Sequence, residues 1–315
     1  MPHQPIPNTT LTVSPLCLGL GDLGTRLSGP DAVVLLDAFL TAGGNFVDTA
    51  HCYGFWGPGG IGASERELGR VIGELGCRER LVIATKGGHP AADPDYPRPD
   101  DYLSPEVLAS DVTASLEHLG TETIDLYLLH RDDTRVPVGE IIDALNTHVA
   151  TGQLRYLGAS NWSVARIAAA NDYAAQHGLS GLCVSQVHFS LADPKWPVTD
   201  DPTMRTMTPE MHAWHTQTGL PAMGYCASAG GFFAGRESAE GGYGTDENLA
   251  CRERARALAG DLGVTPTQVA LAYLRAQPFP VFPIVGTLQV EHLSEALGSA
   301  ELSLTAAQAQ WLQGV

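Results

Sequence analysis

The fold prediction depends on a repeating unit of one helix and one strand. Residues 104–130 contain one predicted helix followed by one predicted strand, in the sequence SPEVLASDVTASLEHLGTETIDLYLLH. Ser104 and Pro105 are typical of a helix start, and Gly120 is typical of a helix end. Between them, apolar residues recur on one face of the predicted helix. The apolar run IDLYLLH (124–130) then predicts a strand that is covered on both faces, as strands of parallel sheets are.

The same alternation continues along nearly the whole chain of 315 residues. Eight candidate strands, each followed by a helix, predict an α/β fold: a single (β/α)8 barrel of the TIM type over residues 1–315. Its long loops should be 191–208 and 230–248, at the carboxyl ends of the strands, where barrel enzymes build their sites. The candidate strands are LCLGLG (16–21), NFVDTA (45–50), LVIATK (81–86), IDLYLLH (124–130), LRYLGAS (154–160), LCVSQV (182–187), PAMGYC (221–226) and VFPIVG (281–286).

Helix starts and ends are predicted from capping residues and from glycine. The helix after the second strand should begin with a capping box, in which Ser64 and Glu67 each satisfy a free backbone N–H. The predicted helices cover about 30–42, 104–119, 138–150, 163–176, 249–261, 266–276 and 290–297, with two further starts at Ser64 and Pro209.

A doubly wound open sheet is the competing architecture. Such folds carry a glycine-rich phosphate loop after the first strand, and GLGDLG (19–24) has the GxGxxG spacing of that loop. No convincing helix follows this segment directly, however, so the barrel is favoured.

Composition excludes several classes of protein. The 18 Lys and Arg residues against 35 Asp and Glu residues give a net charge of −17, which disfavours a nucleic-acid partner. No run approaches roughly 20 apolar residues, so no membrane span is expected. The start lacks the features of a secretory signal, and the six cysteines contain no CxxC pair. We therefore expect a cytoplasmic enzyme with reduced thiols.

Four polar residues are predicted to meet at the carboxyl ends of three neighbouring strands. Asp48 ends the second strand, Tyr53 follows in its loop, Lys86 ends the third strand and His130 ends the fourth. A cation beside a phenol lowers the phenol's pKa toward the range where acid–base catalysis is efficient. Lys86 is therefore expected to lower the pKa of Tyr53, while Asp48 orients Lys86 and His130 donates to a carbonyl oxygen. Together they suit the protonation of an oxygen on which negative charge develops.

Four segments of the chain closely resemble the aldo-keto reductases, in order and at the expected spacing. They are GGNFVDTAHCYG (43–54), ATKGG (84–88), LYLLHRDD (126–133) and LGASNWS (157–163). The resemblance runs from about residue 10 to about residue 300. It implies an oxidoreductase that transfers a hydride between NAD(P)H and an aldehyde, ketone or sugar carbonyl, with the cofactor extended and without a Rossmann fold.

The resemblance also assigns roles to individual residues. Tyr53 becomes the general acid/base, Lys86 and Asp48 tune it, and His130 orients the substrate carbonyl. Ser160, Asn161 and Gln186 match the residues that hold the nicotinamide carboxamide, Tyr225 matches the aromatic ring that stacks on the nicotinamide, and Gly286, Thr287, Gln289, His292 and Glu295 belong to the adenosine-phosphate segment.

Two positions depart from the pattern of NADP-dependent members. Gly286 stands where many of them have Lys, and His292 stands where they have Arg. No Lys or Arg occurs from residue 276 to residue 315, although a 2′-phosphate is best held by fixed cations. We therefore expect use of NADH or of both cofactors, unless Arg236 in the long loop reaches over the cofactor.

The substrate pocket is predicted from aromatic and polar residues in the loops at the strand ends. Aromatic walls with a few polar groups suit small polar ligands, including sugars, although loop aromatics equally serve as packing. The partner expected is thus a small carbonyl compound or sugar. The candidate substrate residues are His51, Trp56, Arg131, Trp162 and Trp196.

Two other functions are compatible with these residues. In a lyase, Lys86 would form a Schiff base, but the carboxylate of Asp48 would keep the amine charged. A cofactor-sensing subunit without catalysis is the third possibility, since some members of the family are channel accessory proteins. No metal site is expected, because His212 and His215 have no third ligand nearby.

Overall fold

The eight predicted strands form one closed barrel. The computed structural model describes residues 1–92, 95–195 and 203–314. Every neighbouring pair of barrel strands is parallel, and the last strand pairs with the first to close the sheet. The barrel strands are β3 (Cys17–Gly19), β4 (Phe46–Asp48), β5 (Val82–Gly87), β6 (Ile124–Leu129), β7 (Leu154–Ser160), β8 (Leu182–His188), β9 (Ala222–Tyr225) and β10 (Val281–Gly286).

Helices surround the barrel and bury their apolar faces against the strands, which confirms the (β/α)8 prediction. An open doubly wound sheet is excluded because β10 pairs with β3. The helices are α1 (Gly29–Thr41), α2 (Ala63–Leu75), α3 (Pro105–Leu119), α4 (Val138–Ala150), α5 (Val164–His177), α6 (Pro209–Thr218), α7 (Glu237–Tyr243), α8 (Asp246–Leu262), α9 (Pro266–Arg275), α10 (Val290–Gly298) and α11 (Ala306–Gln313).

An amino-terminal hairpin covers one end of the barrel. Its strands, β1 (Gln4–Pro5) and β2 (Thr12–Val13), pair antiparallel. Ile6 and Leu11, in and beside the connecting turn, pack against apolar side chains inside the barrel, among them Phe46. The amino ends of the strands are thereby closed, which leaves the carboxyl ends as the open face of the barrel.

The start of α2 differs from its prediction. Gly62 precedes the helix in the left-handed region, with a φ of 75°, and Ser64 lies inside the helix rather than at its cap. The buried Ser64 hydroxyl donates to the Leu20 carbonyl at 2.7 Å, while Glu67 accepts from the Gly29 backbone N–H at 2.6 Å. The expected capping box is therefore wrong, because Ser64 ties α2 to the loop after β3 and Glu67 ties it to the start of α1.

The long loops after β8 and β9 are partly described. Trp196 and its neighbours through Pro202 lie outside the described residues. The second loop contains the short helix α7 and is packed rather than open, since Phe232 and Tyr243 are buried against α8. Among the helices of the described chain, none combines the length and hydrophobicity needed to cross a bilayer.

Candidate active site

Lys86 lies buried at the carboxyl end of β5, inside the barrel. Asp48, the last residue of β4, pairs with Ala84, so Lys86 lies two residues further along β5 on the same face. This register brings the Lys86 ammonium to 2.7 Å from the Asp48 carboxylate and 2.7 Å from the Thr49 carbonyl. The third donor position of Lys86 points to the Tyr53 hydroxyl at 3.3 Å. The ammonium thus fixes the phenol relative to the carboxylate.

Tyr53 is carried by the loop between β4 and α2. Its backbone N–H donates to Ala50, and its carbonyl accepts from Ser64, so the loop is tied at both sides of the ring. Gly54 follows with a φ of 100°, and a Cβ there would collide with Ala63. The Tyr53 ring meets the His130 ring edge-on, with 5.6 Å between the centroids. The four residues that the sequence predicted to converge therefore lie together.

Burial raises the pKa of the Tyr53 phenol above its usual value, and the Lys86 ammonium lowers it by less. The Asp48 carboxylate adds to the increase. This corrects the expected direction of the shift: the cation is paired with a carboxylate, so it cannot offset the loss of water around the ring. At neutral pH, Tyr53 is a phenol that is able to donate a proton.

Lys86 and His130 differ in their charge at neutral pH. Burial acts to lower the pKa of Lys86, but the Asp48 carboxylate and Tyr53 raise it above the ordinary lysine value. Burial, together with the cationic Arg131 and with His89, lowers the pKa of His130 well below 6.5. Lys86 is therefore an ammonium at neutral pH, whereas His130 is a neutral imidazole.

A hydrogen-bonded chain of polar side chains continues from Asp48 to β8, β7 and β9. Gln186 donates to the second Asp48 oxygen at 2.9 Å, and the Ser160 hydroxyl donates to Gln186 at 3.4 Å. Asn161, in the left-handed region with a φ of 63°, donates to the Ser160 hydroxyl at 3.0 Å and accepts from the Tyr225 hydroxyl at 2.8 Å. The chain links the carboxylate beneath the phenol to polar groups on the wall of the barrel mouth.

A cavity of about 640 Å³ lies above these groups. Its volume is within the range of roughly 300–1,000 Å³ that small-molecule and cofactor sites occupy. The loop after β3 also contributes to its wall, although the sequence suggested it only as the phosphate loop of an open sheet. His89 lies on the wall as well; it was not among the predicted site residues, although its position after strand β5 could have indicated it. The predicted site residues that line the cavity are Asp48, Tyr53, Trp56, His130, Arg131, Ser160, Asn161, Gln186, Tyr225, Gly286 and Thr287.

Two of the candidate substrate residues lie behind the wall of the cavity. Trp162 is fully buried, and its indole N–H donates to the Arg131 carbonyl at 3.1 Å. His51 is buried with its Nδ1 at 3.2 Å from the Tyr96 hydroxyl. The expectation that these two side chains face the substrate is corrected, because each is buried and hydrogen-bonded to another part of the protein. Trp56 lies at the mouth with 49% of its surface exposed.

The remaining candidate cofactor residues lie beyond the end of the cavity wall. Gln289 precedes α10, and its backbone N–H donates to the Thr287 hydroxyl at 3.2 Å. His292 is exposed on α10, and Glu295 is half-buried one turn further along. Gln289, His292 and Glu295 therefore follow Gly286 and Thr287 along the chain but are not part of the described cavity wall.

One group of possible metal ligands occurs in the described part of the chain. The ligand atoms of Cys52, His89 and His130 lie within 4.8 Å of one another. The cations Lys86 and Arg131 act on both Cys52 and His130, which disfavours a divalent ion at this point. His212 and His215, the pair considered in the sequence, bond instead to Gln277 and Leu220.

Comparison with known proteins identifies one matching family model and several relatives. A family model described as "Aldo/keto reductase family" matches residues 15–315. An oxidoreductase of Bacillus subtilis, YrpG, is 31% identical over 314 residues, covering 96% of this chain and 92% of the relative.

Two further relatives carry named activities. A 6-dehydroglucose reductase of Novosphingobium aromaticivorans is 32% identical over 287 residues, covering 90% of this chain and 86% of the relative. An aryl-alcohol dehydrogenase [NADP(+)] of Phanerodontia chrysosporium is 31% identical over 342 residues, covering 98% of this chain and 84% of the relative. The crystal structure of a thermostable aldo-keto reductase, Tm1743, with the inhibitor epalrestat superimposes with a TM-score of 0.76 at 23% identity, covering 100% of this chain and 99% of that one.

Proposed function

Because the chain belongs to the aldo/keto reductase family, whose members are oxidoreductases that act on carbonyls with NAD(P)H, we propose that it transfers a hydride between NAD(P)H and an aldehyde, ketone or sugar carbonyl. The observation that carries the proposal is the contact of Lys86 with both Asp48 and Tyr53, at 2.7 Å and 3.3 Å, on the floor of an open cavity. A phenol held in this way is built to exchange a proton with an oxygen above it.

The polar residues on the cavity wall fit a nicotinamide. Its carboxamide needs both a donor and an acceptor, and Ser160, Asn161 and Gln186 offer hydroxyl and amide groups of both kinds side by side. Tyr225 presents a half-buried ring to the same cavity. When bound there, the nicotinamide supplies the hydride. We assign the adenosine end to Gly286, Thr287, Gln289, His292 and Glu295.

Tyr53 supplies the proton for the carbonyl oxygen. The phenol stays protonated at neutral pH because burial raises its pKa, and it loses its proton only to a stronger base, such as the oxygen of a carbonyl undergoing reduction. Lys86 at 3.3 Å then stabilises the phenolate, and Asp48 keeps Lys86 in place. His130, a neutral imidazole beside the Tyr53 ring, donates a hydrogen bond that orients the same oxygen.

The mouth of the cavity favours a substrate with both flat and polar surfaces. Phe55 and Trp56 contact each other with 4.9 Å between their centroids, and His89 and Arg131 lie on the same wall. Aromatic rings bind the C–H faces of sugars as well as aryl groups. The names of a 6-dehydroglucose reductase and an aryl-alcohol dehydrogenase among the relatives support both classes. Sugar carbonyls and aromatic aldehydes are therefore the first substrates to test.

The experiment that tests the proposed function measures the absorbance of the reduced nicotinamide. The purified protein is mixed with NADH or NADPH and with a panel of aromatic aldehydes, aliphatic ketones and oxidised sugars. Loss of the absorbance at a rate proportional to the protein concentration supports the proposal. Tight binding of the cofactor without turnover on any carbonyl would instead indicate a cofactor-sensing subunit.

A Schiff-base lyase is disfavoured by the contacts of Lys86. The Asp48 carboxylate and the Thr49 carbonyl both accept from its ammonium, and the pKa of Lys86 is raised. A protonated amine cannot attack a carbonyl carbon. Treatment with borohydride and a carbonyl ligand should accordingly leave Lys86 unmodified, as judged by peptide mass.

We expect NADH to be used at least as well as NADPH. Gly286 and Thr287 offer no cation to a 2′-phosphate, and His292 is exposed. Arg236 is exposed as well, with its side chain packed beside Gly231. Steady-state kinetics with both cofactors measure the preference, and a preference for NADPH of a hundredfold or more would contradict the expectation.

The variant Gly286→Lys tests the reason for this preference. A Cβ at Gly286 meets no atom within 4 Å, so a lysine fits without disturbing β10. The new cation should shift kcat/KM toward NADPH by about tenfold or more, the factor that one charge-assisted hydrogen bond carries. If the preference did not change, the 2′-phosphate would have to be recognised elsewhere. Arg236→Ala is the comparison variant, because it tests the cation in the long loop.

A further inference from the structure

Cys52 is a buried thiol with one side-chain contact to the proposed catalytic groups. It is the residue before Tyr53, and only 2% of its surface is exposed. Its Sγ lies 3.5 Å from Nδ1 of His130, within hydrogen-bond distance for sulfur. The two residues are 78 positions apart, and the barrel brings them together by placing the ends of β4 and β6 on either side of β5.

The contact matters because a neutral imidazole carries only one N–H. If the hydrogen of His130 is on Nδ1, the ring turns a lone pair toward the cavity and cannot donate to a carbonyl oxygen. If it is on Nε2, the ring donates to that oxygen, and Nδ1 must accept from a donor behind it. The group that faces Nδ1 is the thiol of Cys52.

We propose that the Cys52 thiol donates its S–H to Nδ1 of His130 and thereby holds the ring in the tautomer that presents Nε2–H to the substrate oxygen. Cys52 is in this sense a positioning residue, since it acts on the substrate only through His130. The inference rests on the proposed function, because it deepens the role assigned there to His130.

The charge states of both groups agree with this direction of donation. Burial raises the pKa of the Cys52 thiol to about 12, with the cations Lys86 and Arg131 lowering it by less, so the sulfur keeps its hydrogen at working pH. His130 is neutral, because burial and Arg131 lower its pKa. A protonated thiol has an S–H to donate, and the unprotonated ring nitrogen of a neutral imidazole is an acceptor.

The packing around Cys52 keeps the thiol in place. It belongs to a small cluster of buried residues with Ala50 and Tyr96, against which Tyr53 and Phe55 pack. The ring of His89 lies against the His130 ring, with 4.7 Å between the centroids, and limits its rotation from another side. The imidazole is therefore restrained by edge-on contacts with neighbouring rings, while the thiol selects which of its nitrogens carries the hydrogen.

Nitrogen NMR of the free protein tests the tautomer directly. Protein labelled with ¹⁵N-histidine gives long-range proton–nitrogen correlations that distinguish a protonated ring nitrogen from an unprotonated one, and His130→Gln assigns the signal. Wild-type protein should show a protonated Nε2 and an unprotonated Nδ1. Cys52→Ala should shift the signal toward a mixture of tautomers or toward protonated Nδ1, and Cys52→Ser should restore the wild-type pattern because a hydroxyl also donates.

Kinetics give the second readout. Cys52→Ala should lower kcat/KM for carbonyl reduction by about three- to tenfold, the factor that one neutral hydrogen bond carries, with the cofactor Kd unchanged. Cys52→Ser should recover most of the loss. The matched control is Cys183→Ala, which removes a buried thiol from the closed end of the barrel and should have wild-type activity.

Three results would overturn the proposal: an unchanged His130 spectrum in Cys52→Ala, an equal loss of activity in Cys52→Ser, or the same loss in Cys183→Ala. The spectra are recorded without substrate, so they stand whether or not the protein reduces carbonyls. A Cys52-dependent tautomer in a protein without turnover would reject the proposed function and leave the Cys52–His130 interaction established.

Discussion

Tyr53→Phe should lower kcat for carbonyl reduction by about 10²- to 10⁴-fold, the contribution typical of one general acid. The substitution removes only the hydroxyl that lies 3.3 Å from Lys86, and the ring remains to pack against His130. The cofactor Kd should be nearly unchanged, because the carboxamide residues Ser160 and Gln186 make no direct contact with that hydroxyl in the described part of the site. Steady-state kinetics and a fluorescence titration with reduced cofactor measure the two quantities.

Tyr127→Phe is the matched control for this experiment. The Tyr127 hydroxyl is fully buried on β6 and has no hydrogen-bond partner among the described residues, so its loss should leave activity and stability close to wild type. If Tyr53→Phe kept wild-type kcat, Tyr53 could not be the proton donor. If both variants lost activity equally, the effect would be one of packing.

Lys86→Met should damage both activity and stability. The ammonium is 1% exposed and the Asp48 side chain is 5% exposed, so the substitution leaves a carboxylate buried without its cation. Breaking a buried ion pair in this way costs about 3–5 kcal/mol. Reduction should fall at least as far as in Tyr53→Phe, because the phenolate that forms after proton transfer would also be left unpaired. Denaturant unfolding and kinetics measure the two losses.

The double variant Asp48→Asn with Lys86→Met separates these two effects. Replacing both charges removes the unpaired carboxylate, and the asparagine oxygen can still accept from Gln186. Most of the lost stability should return, because exchange of a whole buried pair is far less costly than its disruption. Activity should stay lost. Recovery of activity together with stability would contradict the catalytic role of Lys86.

The fold could be predicted because apolar runs and helix signals are local. All eight barrel strands lie within the predicted segments or extend one residue beyond them, and Ser104 and Gly120 cap α3 as expected. The first barrel strand, β3, is shorter than predicted. The chain leaves the strand at Leu20, whose carbonyl accepts from the Ser64 hydroxyl. The convergence of Asp48, Lys86 and His130 could be predicted once the barrel was recognised, because the carboxyl ends of its parallel strands lie on one face.

The features that were missed depend on burial and on distant contacts. The pKa of Tyr53 is raised rather than lowered, since the loss of water outweighs a cation already paired with Asp48. Trp162 and His51 stand next to site residues in the sequence, but their side chains point into the packing. The contact of Cys52 with His130 joins two strand ends that no local pattern connects.

The pH dependence of reduction in wild type and in Tyr53→Phe tests the central claim most directly. Reduction needs the protonated phenol, whose pKa burial raises, so kcat/KM should be level through neutral pH and fall only as pH rises past that pKa. His130 is already neutral, so no loss should appear near 6.5. The residual activity of Tyr53→Phe should lack the alkaline fall. An identical alkaline fall in both proteins would contradict the assignment of Tyr53 as the proton donor.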